Sequence, residues 1–152
     1  MTRGAWLAAA AVCVAACAGP GDGRLTVHGA YAVPGAGLAP GVLYARIDNR
    51  TATPDTLLGI EAASAEIMLH TGGDATGRAA MAMAGPIPVA ARATVSLAPG
   101  GLHGMITTFP RDTHRGDSVS VTFRFARAGA IAVYARVIDY ADVDTAVPQG
   151  RR

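Results

Sequence analysis

The chain predicts a single all-β domain, an antiparallel sandwich or barrel, on three observations. Short runs with β-branched residues recur along its 152 residues. Turn signals separate them: Pro34-Gly35-Ala36-Gly37, Thr71-Gly72-Gly73-Asp74, Pro99-Gly100-Gly101 and Ala128-Gly129. No stretch carries a long amphipathic helix, because Gly and Pro interrupt the Ala-rich segments.

In chain order the expected strands are residues 25–33, 42–49, 57–61, 65–70, 78–83, 93–97, 103–108, 118–126 and 130–138. Alternation is clearest in 118–126. Val119, Val121, Phe123 and Phe125 face one way there, and Ser118, Ser120, Thr122 and Arg124 the other. In 42–49, Val42, Tyr44, Arg46 and Asp48 oppose Leu43, Ala45 and Ile47. Residues 25–140 form the domain. Residues 141–152 are polar, with Pro148 and Gly150, and are expected to be a disordered tail.

The N-terminus reads as an export signal over residues 1–16. Arg3 supplies the positive end, and an uninterrupted apolar run from Ala5 to Ala16 follows, too short to span a bilayer. Val14-Ala15-Ala16-Cys17 is similar to the bacterial lipobox, in which the Cys receives a diacylglycerol. The same segment also fits an ordinary leader cut at a small residue, with Cys17 incidental. Residues 17–24 are small and Gly/Pro-rich, a flexible tether. The expectation is a periplasmic protein anchored to the membrane by lipid on Cys17.

Composition excludes several function classes. Hydrophobic residues make up 51% of the chain and charged residues 16%, so disorder is excluded. All 13 basic residues are Arg, yet the net charge is only +2, too balanced for a nucleic-acid partner. Two cysteines cannot support a disulfide scaffold. No nucleophile elbow, phosphate loop, His-Glu-x-x-His or dinucleotide fingerprint is present, so the chain is not read as an enzyme.

The His and Met spacing carries chemistry. His103 and Met105 are two apart on an expected strand, so their side chains share a face. His70 ends one strand, and Met81 lies in the next across a Gly-rich turn, where a hairpin sets the two side by side. Two imidazoles and two thioethers make a four-coordinate site of neutral ligands. Thioether sulfur is soft and favours Cu(I), whereas Zn(II) prefers thiolate, imidazole and carboxylate. A strand Met is ordinarily core filler, and that reading is preferred for Met68 and Met83. Each shares a face with a ligand, however, so each is also a secondary shell of the site. His28 and His114 have no Met at useful spacing and read as surface residues.

The pattern His70-x10-Met81-x21-His103-x-Met105 resembles the signature of the periplasmic copper chaperones called PCu(A)C. Leu97 through Met105 is similar to the family's Gly-Gly-x-His-x-Met segment. Residues 41–49 resemble its Tyr-containing strand ending in Asn, and Gly116-Asp117 with the following strand resembles its next stretch. The likeness spans about residues 25–138. It implies a cupredoxin-like Greek-key fold and a solvent-accessible Cu(I) site on His70, Met81, His103 and Met105. It also implies delivery of copper to the binuclear centre of cytochrome c oxidase subunit II, with a Sco-like thioredoxin-fold partner in some systems, by a monomer. The chain departs from the family in Thr71, where Met is frequent, and in Gly104, where a larger apolar residue is usual. Copper sequestration by the same site, and a metal-free scaffold lipoprotein, are the alternative functions.

Overall fold

The computed structural model describes residues 23–36, 39–63, 65–72, 82–109 and 112–147. Among them are ten strands: β1 (Leu25–Val33), β2 (Gly41–Asn49), β3 (Asp55–Glu61), β4 (Ile67–Thr71), β5 (Ala82–Met83), β6 (Ile87–Val89), β7 (Thr94–Leu97), β8 (Leu102–Ile106), β9 (Ser118–Phe125) and β10 (Gly129–Val137). A 3-10 turn at Tyr140–Asp142 leads into one short helix, α1 (Val143–Ala146). The leader, Cys17, Met81 and residues 148–152 lie outside the described residues.

The strands form one sheet in the order β5-β4-β8-β2-β1-β10-β9-β3-β6, with β7 pairing beside β8 along the second half of β2. Leu43 and Ile47 of β2 share one buried cluster with Leu57 of β3 and Phe123 of β9. β2 is not a neighbour of β3 or β9 in the sheet, so the sheet curls over and closes its apolar face on itself. The inward set in β9 is Val121, Phe123 and Phe125, the face that the alternation picks out. All pairings are antiparallel except β1 with β10, which run parallel.

Two elements differ from the sequence expectation. Strand β6 contains Pro88, which argues against a strand, but β6 is a sheet edge, where a missing amide costs no ladder bond. The tail does not fray at Ala141. Val143 and Val147 bury themselves against Val33, Tyr44 and Ile138 on the outer face of β1 and β2. Burial of these apolar side chains offsets the entropy of ordering the segment.

Buried polar side chains tie the loops to this frame. The Asn49 amide donates to the carbonyls of Thr53, Val89 and Ala90 at 2.9, 3.3 and 3.1 Å. Its Oδ1 accepts from the amide and hydroxyl of Thr51. The Asp55 carboxylate accepts from the amides of Thr56, Arg127 and Ala128 at 2.7, 2.9 and 2.8 Å, which pins the β9–β10 turn to β3. Burial raises the Asp55 carboxyl pKa. The three amides outweigh that and, with the Arg127 charge, hold it below the ordinary carboxylate range.

A depressed carboxyl contributes stability that is present above its unfolded pKa and lost as pH falls through its folded pKa. Asp55→Ala is therefore expected to cost about 1–3 kcal/mol at neutral pH by leaving buried amides unpaired. Its stability should also fall less steeply than wild type below about pH 4. Denaturant unfolding across pH checks both.

Candidate metal centre

Strands β4 and β8 build the site. Their antiparallel register sets Met68 opposite Met105, Leu69 opposite Gly104 and His70 opposite His103. Directly opposed residues point to the same side of a sheet, and successive residues alternate. Ile67, Leu69, Leu102 and Ile106 take the face that packs on the main core. Met68, His70, His103 and Met105 therefore share the other face. That face continues through Val42, the partner of Met105, into the apolar cluster covered by α1.

Gly104 faces the core between His103 and Met105 of β8. A Cβ there would lie 3.0 Å from Ile67 Cγ2 and 3.1 Å from Leu43 Cβ. This contact explains the glycine at a position where the family usually has a larger residue.

The loop between β7 and β8 sets the His103 ring. Both strands pair with β2, and the chain leaves β2 after Leu97 and returns to it at Gly104. The Ala98 amide donates to the Leu102 carbonyl at 2.8 Å, and the Gly101 amide to the Ala98 carbonyl at 3.1 Å. The Gly101 carbonyl accepts from the Gly72 amide at 3.0 Å and lies 2.9 Å from His103 Nδ1. A carbonyl only accepts, so Nδ1 carries the proton and the Nε2 lone pair of neutral His103 is left to bind. Gly72 fits because a Cβ there would come within 3.2 Å of the Gly100 backbone.

The His70 imidazole is 6% exposed and that of His103 8%. Their ring centroids are 6.1 Å apart with planes at 25°. Among the described residues neither nitrogen of His70 has a hydrogen-bond partner. A buried polar group left unpaired costs about 1–3 kcal/mol, which a ligand on that nitrogen would recover. The rings are close enough for one nitrogen from each to reach a shared ion through bonds of about 2 Å, the length zinc–imidazole bonds take. Among the described residues no three His, Cys, Asp or Glu side chains gather into a metal cluster. The other donors that the strand pairing places around the imidazoles are thioethers.

The sequence reading of these residues holds in part. His103 and Met105 do share a face. The β4–β5 pairing is the expected hairpin, but the residue opposite His70 is Met83, 73% exposed. The family resemblance implies a solvent-accessible site. His70 and His103 are both buried instead, and the Gly101 carbonyl holds the His103 ring against its own loop. Among the described residues Met68 belongs to neither apolar cluster, and it stands opposite Met105 and two residues from His70. The Gly72 and Gly101 backbone contacts have no side-chain signature beyond the glycines themselves. His28 lies apart, paired with Asp48 at 2.9 Å on an exposed stretch of β1 and β2, and His114 is exposed.

The chain matches the LpqE-like lipoprotein family over residues 5–137. It belongs to the LpqE-like family. No curated protein gives a significant match. Among solved structures it is similar to the copper-bound PCuAC domain from PmoF2, with a TM-score of 0.64 and 24% identity over 77% of this chain and 94% of that one. It is also similar to apo-DR1885 from Deinococcus radiodurans, with a TM-score of 0.58 and 25% identity over 91% of this chain and 95% of that one. The CuI-DR1885 structure gives 0.60 and 25% identity over 82% of each chain. Family and structures together make this a PCuAC-type protein with the cupredoxin-like all-β fold.

The hydrogen bond to Gly101 fixes one tautomer of neutral His103. Long-range proton–nitrogen NMR correlation of the metal-free protein should show the proton on Nδ1 of His103. A protonated Nε2 in the neutral ring would contradict that geometry.

Proposed function

We propose that this LpqE-like protein is an exported Cu(I) chaperone whose site comprises His70, Met81, His103 and Met105. The observation that carries the reading is the His70 imidazole, buried with no partner for either nitrogen among the described residues, beside a His103 ring whose Nε2 is left to bind. Met105 shares their face, and similarity to the copper-bound PmoF2 domain and CuI-DR1885 supports copper as the ion. Four neutral donors add no charge to the site, which favours the lower oxidation state over what anionic ligands would stabilise. Two thioethers disfavour zinc.

Release follows from the position of the site. It lies toward one end of the sheet, on the face opposite the main core. The imidazoles anchor the ion and the thioethers shield it. An incoming acceptor ligand binds the ion and displaces these groups one at a time. The acceptor proposed is subunit II of cytochrome c oxidase, directly or beside a Sco-like partner. The lipobox-like Val14-Ala15-Ala16-Cys17 and the LpqE-like lipoprotein family support a periplasmic protein held to the membrane through Cys17.

Titration of Cu(I) against a chromogenic chelator should give one equivalent bound. His103→Ala or Met105→Ala should weaken binding by more than about 100-fold, beyond what removing a ligand-orienting group costs. Unchanged affinity in a variant lacking all four side chains would overturn the site and favour a metal-free scaffold role. Separately, Cys17→Ser should abolish incorporation of labelled fatty acid in cells, and persistent labelling would place the anchor elsewhere.

A further inference from the structure

We propose that Met68 is itself a ligand of the copper site, a strand-borne thioether that closes on the ion beside Met105. The inference rests on the Cu(I) reading above and deepens it, because it makes soft-ion selectivity a property of the β4–β8 ladder.

The argument is geometric. Met68 is the register partner of Met105, and His70 of His103, two residues further along each ladder. Opposed Cβ atoms lie about 5 Å apart, and residues two apart on a strand about 7 Å. The four side chains thus stand at the corners of a rectangle whose centre is about 4 Å from each Cβ. An ion above that centre is within reach of a Met sulfur or an imidazole nitrogen from every corner.

Core filling does not explain Met68. Its neighbours Ile67 and Leu69 take the main core, whereas Met68 and Met105 belong to neither apolar cluster and are both half-buried. Met83 is less well placed. It lies on the far side of β4, opposite His70, and is 73% exposed.

A two-imidazole, two-thioether set on two paired strands changes the role of Met81. That residue precedes β5 in the chain. Met68 and Met81 then share the fourth place on the ion beside His70, His103 and Met105: the bond to Met68 sulfur forms as the bond to Met81 sulfur breaks, and the ion keeps four donors until an acceptor ligand displaces one of them. No change of oxidation state accompanies the exchange. Met68 and Met105 hold the ion while Met81 is the thioether given up.

The test uses silver(I), a diamagnetic stand-in for Cu(I). In the silver-loaded protein, proton–silver-109 correlation should connect the ion to the ε-methyl groups of both Met68 and Met105. Met68→Leu conserves volume. It should weaken Cu(I) binding at least about tenfold, on the scale reached by removing groups that merely orient ligands. The loss should be larger in a Met81→Leu background. Coupling to Met105 with none to Met68, and wild-type affinity in Met68→Leu, would overturn this proposal and leave the chaperone reading intact. Wild-type affinity in His70→Ala and His103→Ala would overturn both.

Discussion

The pairing of β4 with β8 is the constraint on which the site depends. Side chains alternate across a sheet with a period of two, so a slip of β4 by one residue would turn His70 and Met68 toward the core and away from His103 and Met105. Leu69 and Ile106, buried in the main core, prevent that slip. The fit of Gly104 against Leu43 and Ile67 adds to the restraint, since a Cβ there would press on both side chains at 3.0–3.1 Å. Apolar packing on one face thus dictates which side chains gather on the other. The same ladder is held at its end by the Gly101 carbonyl, which takes a hydrogen bond from Gly72 of the β4 side and one from the His103 ring.

This arrangement reconciles a preformed site with an exchangeable ion. The imidazoles sit on paired strands and are buried, so little conformational entropy remains to be lost on binding. Among the described residues His70 has no hydrogen-bond partner, a cost in stability that the proposed ion would offset. The frame carrying that cost is secured elsewhere. Asn49 and Asp55 lock the loops at one end of the sandwich, and Val143 and Val147 clamp the outer face of β1 and β2.

The strands and their order along the chain were readable because alternation and turn chemistry are local properties. Phe123 and Phe125 announce β9 within eight residues. Strand β6 was not readable, because Pro88 is compatible with a strand only at a sheet edge, and edge position is set by distant pairing. The ordered tail was missed for a similar reason. Val143 and Val147 have nothing to bury against within their own segment, and their partners Val33 and Tyr44 lie about a hundred residues earlier.

The sequence by itself determined the all-β class, the donor types and the shared face of His103 and Met105, since each follows from spacing along one strand or from side-chain chemistry. Tertiary structure alone decided which residues meet across strands. It set His70 against His103 and Met68 against Met105, freed Nε2 of His103 through the Gly101 carbonyl, and buried both rings. Cross-strand register depends on how distant apolar residues pack, and no local pattern around Met68 reveals that a second methionine stands opposite it.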